Sequence, residues 1–185
     1  HTAGAALLQI INDILDFSKL ESYNLSLEKI DFFLDDVMRG VVEMTSAKAG
    51  EKGLEFLYYI EPDVPRCLVG DPLRLGQIVT NHVNNALKFT PPGGKITIGF
   101  EKDIEDKCVL ISVTDTGRGI PAEKHQDVFK RFEKLDEFIQ GTGLGLSICK
   151  LTINYMGGDI WIDRAYTDGA RFVFSHPLTQ ADRKA

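Results

Sequence analysis

Two asparagines and a lysine lie at helical spacing near the middle of the chain. Asn81, Asn85 and Lys88 are separated by four and three residues, so they share one face of the helix predicted there. Amide oxygens one turn apart can serve as ligands for a hard cation such as Mg2+, and a lysine on the next turn can neutralise phosphate oxygens. A solvated polar helix face is the alternative, and this segment alone does not separate the two.

A second group of residues follows a predicted buried strand, CVLISVT. Asp115 stands at the end of this strand, and Gly117 and Gly119 come directly after it in the segment DTGRGIP. Such a carboxylate can accept a hydrogen bond from the exocyclic amine of adenine, while the glycines let the backbone approach a ligand closely. The alternative is an ordinary turn that ends a strand.

A third group is the glycine loop, defined as residues 141–146 (GTGLGL), which opens a predicted helix. Exposed backbone N–H groups at a helix N-terminus can bind phosphate. The loop is not a dinucleotide-binding fingerprint, because its third glycine comes one residue early and the preceding FEKLDEFIQ is not a predicted strand. No GxxxxGK[ST] motif occurs, and a purely structural loop is the alternative. Together the three groups supply the parts that an ATP site needs.

The elements that must position these groups follow from the hydrophobic pattern. Apolar residues at three- and four-residue steps predict a helix within the first 22 residues, with a heptad seam typical of a bundle member. Further helices are predicted over Phe33–Ala49, 72–89 and Leu146–Met156, with Asp71 as N-cap and Pro72 in the first turn. Strands are predicted near Leu25–Ile30 and over 54–60, 95–101, 108–115, 159–163 and 170–176. This order favours an α+β fold with a mixed sheet.

Composition excludes several classes of protein. The 185 residues are 43% hydrophobic and 26% charged, which is typical of a globular domain and not of a disordered chain. The net charge of −6 argues against nucleic-acid binding, and no apolar stretch is long enough to span a membrane or resembles a signal peptide. Three widely spaced cysteines form no CxxC pair, so neither a zinc site nor a disulfide framework is expected, and a reducing, cytosolic setting is the simplest interpretation.

Four segments of the chain resemble the boxes of a known family. NHVNNALKFT, DTGRGI, FKRF and GTGLGLSI, in this order and spacing, resemble the N, G1, F and G2 boxes of sensor histidine kinases. INDILDFSKLE resembles the end of the second helix of the dimerisation and histidine-phosphotransfer domain, and the entry to the N box resembles that of hybrid kinases. The resemblance covers nearly the whole chain. It implies domains at 1–22 and 23–180 with a tail at 181–185.

The resemblance also implies a fold and an ATP site. The implied fold is the Bergerat type of the GHKL superfamily, a two-layer α/β sandwich with a mixed sheet on three helices. A short mobile lid, roughly Pro121 to Gln140, is expected to close over ATP. The implied catalytic residues are Asn85 as the main Mg2+ ligand, Asn81 as its partner, and Lys88 on the phosphates. Asp115 is expected to read adenine. The other implied ATP-binding residues are Phe89, Gly117, Gly119, Ile120, Phe132, Gly141, Thr142, Gly143, Leu144, Gly145 and Leu146, with Phe129 and Phe132 anchoring the lid.

The implied function is that of a two-component protein histidine kinase. The domain would transfer the γ-phosphoryl of Mg·ATP to a histidine on a helical domain. The implied partners are that dimerisation and phosphotransfer domain, a response regulator receiver domain, and a second copy in a full-length homodimer. Nucleic acid and membrane contact are not expected for this cytoplasmic part, although the full-length protein could be anchored in the cell membrane.

Two other functions remain as alternatives. A Bergerat-fold conformational ATPase places a glutamate one turn before the N-box asparagine to activate water, whereas this chain has Asn81 there, and an amide cannot act as a base. A non-catalytic module that binds a nucleotide or a partner protein is the other alternative, and the intact boxes weigh against it.

Several features depart from the family pattern. The phosphoacceptor motif, HE followed by an R-x-P type turn, does not occur, and His1 is not expected to be the acceptor. The last glycine box keeps only Gly169. His82 replaces an apolar residue of the N box and is expected to be a partly buried structural residue. His125 and His176 are expected at the surface or at a sheet edge.

Overall fold

The computed structural model describes residues 2–22, 24–105, 107–134 and 141–179. Its helices are α1 (Thr2–Glu21), α2 (Leu34–Glu51), α3 (Pro72–Phe89) and α4 (Gly145–Tyr155). Its strands are β1 (Ile30–Phe33), β2 (Glu55–Ile60), β3 (Cys67–Gly70), β4 (Lys95–Asp103), β5 (Cys108–Asp115), β6 (Ile160–Ile162) and β7 (Arg171–Pro177). His1, the predicted tail and residues 135–140 of the predicted lid lie outside the described residues.

The strands form two sheets. The larger has five strands in the order β2-β4-β5-β7-β6, with β2 parallel to β4 and every other pair antiparallel. Strands β1 and β3 pair with each other in a separate antiparallel ribbon. The predicted α+β fold with a mixed sheet is therefore confirmed.

The core lies between the five-stranded sheet and helices α2, α3 and α4. Alternate residues of β4 point into it, since Ile96, Ile98 and Phe100 are fully buried. Helix α3 contributes Leu75 and Val79 from the facing side, and both are also fully buried. The predicted packing of a mixed sheet on three helices is confirmed.

Local signals in the sequence fix helix α3. Asp71 is its N-cap, because its Oδ1 accepts a hydrogen bond from the backbone N–H of Arg74 at 2.9 Å, and Pro72 occupies the first turn. The helix ends at Phe89, before the segment that begins with Pro91 and Pro92. The predicted bounds are confirmed, so the spacing argument for the polar face applies to a real helix.

The β1–β3 ribbon was not predicted. The strand expected near Leu25–Ile30 begins only at Ile30, and β3 has no counterpart among the predicted strands. The ribbon covers His176 of β7, which packs edge-on against the ring of Phe32 with centroids 6.3 Å apart. His176 is only 4% exposed, so its expected place at the surface is wrong. His125 is half-buried, with Nε2 2.9 Å from the carbonyl oxygen of Ile120.

Helix α1 packs only part of its apolar surface against the rest of the chain. Leu20 is buried, and its carbonyl oxygen accepts a hydrogen bond from the hydroxyl of Tyr155 in α4 at 3.0 Å. Six large apolar side chains of α1 are 39–63% exposed, namely Leu7, Leu8, Ile10, Ile11, Ile14 and Leu15. None of the helices in the described part of the chain is long and apolar enough to cross a membrane.

Candidate nucleotide-binding site

The polar face of α3 carries two half-buried asparagines in contact. Nδ2 of Asn85 donates to Oδ1 of Asn81 at 3.5 Å, one helical turn away. Because Asn85 donates through its nitrogen, its own Oδ1 is left to accept from, or coordinate, a ligand, and Oδ1 of Asn81 keeps a second lone pair. Lys88 stands one turn further along the same face.

The glycine loop lies directly against this face. A Cβ added at Gly145 would come within 2.8 Å of Nδ2 of Asn81, and one at Gly141 would lie 3.6 Å from Nζ of Lys88. Gly143 has φ +71°, a conformation that side chains other than glycine rarely adopt. Fold topology thus brings the start of α4 next to the asparagine pair, although about 60 residues separate them in the sequence.

Asp115 ends β5 as a buried carboxylate, only 6% exposed. Its Oδ1 accepts hydrogen bonds from the backbone N–H groups of Gly117 at 2.8 Å and Ala170 at 3.2 Å. Burial raises the pKa of its carboxyl group, and these two hydrogen bonds oppose that shift. Both hydrogen bonds end on Oδ1, and together they hold the carboxylate in one orientation.

The loop after Asp115 needs both of its glycines. A Cβ at Gly117 would lie 2.5 Å from the carbonyl oxygen of Phe89, so only glycine lets this loop reach the end of α3. Gly119 has φ +72°, and a Cβ there would lie 2.9 Å from the carbonyl oxygen of Gly169. Ile120 packs against the core beside them. The structure therefore brings the first two predicted groups together at the end of α3.

A cavity of about 500 Å3 lies where these segments meet. Phe89 and Gly117 line it, together with the cationic residues Lys52, Lys88 and Arg118. The guanidinium of Arg118 lies over the ring of Phe89, 4.9 Å from its centroid. Among the described residues no acidic side chain lines this cavity, so its walls favour an anion such as a phosphate group.

Lys52 is a residue that the sequence analysis missed. Its Nζ donates to the carbonyl oxygens of Leu87 at 2.5 Å and Thr90 at 2.7 Å. These carbonyls belong to the end of α3, where a cation also offsets the helix dipole. Lys52 thus fixes the backbone on both sides of Lys88 and Phe89. No sequence pattern could have revealed it, because its partners are backbone atoms.

The amino group of Lys88 lies near other cationic side chains, among them Lys48 and the cavity residues Lys52 and Arg118. Partial burial lowers the pKa of its amino group, the charge of Lys48 lowers it further, and the carboxylate of Asp13 opposes both. An arriving phosphate group would relieve this repulsion.

The two phenylalanines of the F box occupy different environments. Phe129 packs edge-on against Phe172 with ring centroids 6.1 Å apart, as expected for an anchor of the lid. Phe132 is 71% exposed, and the close approach of its Cα to Gly143 involves its backbone. The expectation that the Phe132 ring anchors the lid is therefore wrong for this structure, and its place at an ATP site stays a prediction.

The remaining residues of the glycine loop are held from two sides. Leu144 is buried and Leu146 packs against the core, so both fix the loop to the domain. The hydroxyl of Thr142 accepts a hydrogen bond from the N–H of Leu144 at 3.2 Å and donates to Oδ2 of Asp13 in α1 at 2.9 Å. The contact with Asp13 had no signal in the sequence analysis.

A second contact without a signal in the sequence lies at Asp115. The hydroxyl of Tyr166 donates a hydrogen bond to the backbone oxygen of Asp115 at 3.0 Å.

His82 lies about 60° from Asn85 and about 100° from Asn81 around α3, on the face that is buried in the core. It is 2% exposed, more deeply buried than expected, and its ring stacks on Phe172 with centroids 5.1 Å apart. Burial lowers the pKa of its imidazole to about 4, so it is neutral at physiological pH. This buried position removes it from any contact with phosphate.

The described residues fit a Mg2+ ion in only one coordination mode, in which the protein supplies few of the ligands. No group of three or more His, Cys, Asp or Glu residues that could hold a metal exists in the described ranges. Oδ1 of Asn85 offers a single neutral oxygen to such an ion. Mg2+ is commonly held by one or two protein oxygens together with waters and substrate phosphates, and the cationic cavity lined by Lys88, one helical turn after Asn85, suits such phosphates.

Comparison with known proteins identifies relatives of this arrangement. Residues 70–180 match the family described as histidine kinase-, DNA gyrase B- and HSP90-like ATPase. The chain is 43% identical over 175 residues to the signal transduction histidine-protein kinase BarA of Escherichia coli strain K12, covering 91% of this chain and 19% of BarA. It thus spans about a fifth of the length of such curated relatives.

Solved structures agree with this comparison. Full-length ShkA in complex with AMPPNP superimposes with a TM-score of 0.86 at 31% identity, over 96% of this chain and 37% of ShkA. The histidine kinase ThkA in complex with the response regulator TrrA gives a TM-score of 0.77 at 28% identity, over 100% of this chain and 50% of ThkA. With a family match over more than half of its length, the chain belongs to the histidine kinase-, DNA gyrase B- and HSP90-like ATPases.

Proposed function

We propose that this domain binds Mg·ATP and transfers its γ-phosphoryl group to a histidine on a helical domain of the same protein. The observation that carries the proposal is the convergence of the asparagine pair, the glycine loop and the cationic cavity at one end of α3. Its relative BarA is named a histidine-protein kinase, and the neighbour ShkA binds AMPPNP.

Asp115 is assigned to adenine. Its Oδ1 already accepts two backbone hydrogen bonds, so Oδ2 is the oxygen that would accept from the exocyclic amine. Gly117 and Gly119 let the backbone approach the ring without a side chain in the way. The tight packing of this loop on Phe89 and Gly169 makes the adenine site rigid before ligand arrives.

Asn85, Lys88 and the glycine loop are assigned to the phosphates. Bound Mg2+ would neutralise charge on the transferred group. Oδ1 of Asn85 would supply the protein oxygen to that ion, and the contact with Asn81 fixes the orientation of its amide. Lys88 would pair with phosphate oxygens, and the backbone N–H groups at the start of α4 would donate hydrogen bonds to other phosphate oxygens. The acceptor imidazole is itself the nucleophile, so the domain needs no base for water.

A conformational ATPase would need such a base. The amide of Asn81 touches Asn85 at the position where that class of protein has a glutamate, and an amide has no basic nitrogen. Hydrolysis of ATP by this domain alone is accordingly expected to be slow.

The partner domain is assigned from α1. Its six exposed apolar side chains form a surface that a helical bundle would cover, which supports a dimerisation and phosphotransfer domain built partly from residues 1–22. The neighbour ThkA was crystallised with a response regulator, and a receiver domain is the proposed phosphoryl acceptor from the histidine. The three cysteines of the chain are all free thiols, in keeping with a cytoplasmic position.

Binding of Mg·ATP by Asn85→Ala tests the site. Titration calorimetry of the wild type should show an affinity for ATP that rises with Mg2+, and this Mg2+-dependent gain should disappear in the variant. Asn84→Ala is the matched control, because Asn84 is the adjacent residue and points about 100° away around the helix. Equal Mg2+ dependence in Asn85→Ala and the wild type would refute the assignment.

Phosphoryl transfer is tested in the longer protein that contains the acceptor histidine. Incubation with γ-labelled ATP should give acid-labile label that is lost with Asn85→Ala and kept with Asn84→Ala. Label that resists acid, or that persists in Asn85→Ala, would contradict a histidine kinase with this active site.

A further inference from the structure

A second concave surface lies at the other end of the α2–α3 helix pair. This α2–α3 groove has a volume of about 510 Å3 and is formed by the first halves of both helices and by β1. Its walls include three large apolar side chains that are more than half exposed, namely Phe33 at 56%, Met44 at 58% and Leu73 at 65%. Along α3 it is separated from the nucleotide cavity by about 18 Å, since Gly76 and Lys88 are twelve positions apart in the helix.

Two helix-interior glycines line the groove without being needed by the fold. Gly40 lies within α2 and Gly76 within α3, positions where glycine destabilises a helix relative to alanine. A Cβ at Gly40 would meet no atom within 4 Å, and one at Gly76 would make only an ordinary contact of 3.7 Å with Val37. Packing therefore tolerates alanine at both. What the glycines do provide is bare backbone on the groove wall, where another chain can approach closely.

The charges of the groove restrict what can occupy it. In the part of the chain that the structure describes, its charged lining residues are Asp31 and Asp36, and no basic side chain lines it. Asp36 pairs with Arg39 at 3.2 Å, but both side chains are more than 60% exposed, so the pair neutralises little in water. The groove is thus apolar within and acidic at its rim. A complementary ligand has apolar anchors and flanking positive charge.

We propose that the α2–α3 groove binds an amphipathic helix of a partner protein, with apolar anchors on one face and lysine or arginine beside them. Anchors at i, i+3 or i+4 and i+7 fit between Phe33, Met44 and Leu73, as in other helix-in-groove interfaces. The basic residues pair with Asp31 and Asp36. Close approach of the two helices is possible because Gly40 and Gly76 present no side chains.

A second copy of this chain is a poorer occupant. Its exposed apolar helix is α1, in which Lys19 is the only basic residue and Asp13, Asp16 and Glu21 are acidic. An acidic helix would be repelled by the rim of the groove. The charge pattern therefore favours a different, basic partner.

Two synthetic helical peptides test the proposal on the intact chain. Both carry leucines at i, i+4 and i+7, and one has lysines where the other has glutamates. Fluorescence anisotropy should show saturable binding of the lysine peptide, at least tenfold tighter than that of the glutamate peptide. The double variant Asp31→Lys, Asp36→Lys should reverse this preference, because it inverts the charge of the rim.

Two further variants test whether the groove itself is the site. Gly40→Leu places a large side chain in the groove and should lower the affinity for the lysine peptide at least tenfold. Gly40→Ala should raise the melting temperature and lower this affinity by a smaller factor. Leu73→Gln, at an exposed position, removes an apolar side chain from the groove without changing its charge. It should likewise weaken binding, and it is the test of the groove if Gly40→Leu does not fold. Mg·ATP affinity should stay unchanged in Leu73→Gln, which separates this proposal from the proposed kinase site.

Three results would overturn the proposal. They are equal affinity for the two peptides, unchanged affinity in both Gly40→Leu and Leu73→Gln, or no saturable binding by the wild type. Sedimentation that shows self-association of the wild type, lost in Leu73→Gln, would assign the groove to a second copy and would also overturn it.

Discussion

The hydroxyl of Thr142 in the glycine loop donates a hydrogen bond to Oδ2 of Asp13 in α1 at 2.9 Å. Helix α1 is thereby joined to the loop that we assign to phosphate binding. Arg131 adds a second link, since its guanidinium pairs with Glu21 and lies over the ring of Phe17, 4.2 Å from the centroid. The position of α1 is therefore coupled to the loop through side chains of known identity.

Asp13→Ala should loosen the glycine loop without unfolding the domain. The variant removes one half-buried hydrogen bond, worth about 1 kcal/mol. We expect faster hydrogen exchange of the backbone amides in residues 141–146 and a melting temperature lowered by only a few degrees, measured by mass spectrometry and calorimetry. Asp16→Ala is the matched control, because Asp16 has no hydrogen bond to this loop in the described structure. Equal exchange in the wild type and Asp13→Ala would show that the bond does not restrain the loop.

Asp115→Asn should change the preference of the site for adenine over guanine. The amide keeps Oδ1 as acceptor for Gly117 and Ala170, but it replaces Oδ2 with a donor. ATP affinity should fall about 30- to 100-fold, which corresponds to about 2–3 kcal/mol, while GTP affinity should not fall. Competition of both nucleotides against a fluorescent ATP analogue measures this. A wild type that binds GTP as tightly as ATP would contradict the role of Asp115.

Lys52→Met should weaken both folding and nucleotide binding. The variant leaves the carbonyl oxygens of Leu87 and Thr90 without their charged donor, which should cost about 2 kcal/mol of unfolding free energy. Because Lys88 and Phe89 lie between these two carbonyls, we expect ATP affinity to fall at least fivefold. Lys48→Met removes a like charge from the last turn of α2, one turn before Lys52, without removing these hydrogen bonds, so it should leave unfolding free energy nearly unchanged. The same loss in both variants would attribute the effect to charge alone.

Local signals in the sequence predicted the parts of the fold that local interactions determine. Asp71, Pro72 and the proline-rich segment after Thr90 fixed the bounds of α3, so the shared face of Asn81 and Asn85 followed from spacing. The order of the boxes then predicted that the asparagine pair, the segment after Asp115 and the glycine loop would meet. The topology of the sheet came from the family resemblance, because the spacing of apolar residues predicts elements but not how they are connected.

Contacts between distant segments could not be predicted in this way. Strands β1 and β3 have four residues each and pair across about 37 residues, so neither showed a clear strand pattern. Missing this ribbon also led to the wrong placement of His176, since Phe32 of the ribbon is what covers it. The bonds of Lys52 and Thr142 escaped for a related reason. A backbone carbonyl, or a partner more than a hundred residues away, leaves no local trace.

His82 should make the stability of the domain depend on pH. Its ring is buried against Phe172, and neither ring nitrogen has a hydrogen-bond partner in the described structure. Burial lowers its pKa to about 4 from the usual value of about 6.5 in the unfolded chain. The unfolded chain therefore binds the proton more readily, so this contribution to stability is complete above pH 6.5 and is lost as pH falls toward 4. Between pH 8 and pH 5 the loss should be about 2 kcal/mol.

His82→Phe isolates this contribution. The replacement keeps an aromatic ring beside Phe172 but carries no titratable group, while the carboxylates of the chain titrate alike in both proteins. Urea unfolding at pH 8, 6.5, 5.5 and 5 should therefore show a stability difference that grows in favour of His82→Phe as pH falls. A difference that stays constant over this range would mean that His82 gains a proton equally in the folded and unfolded states. That result would contradict a pKa lowered by burial.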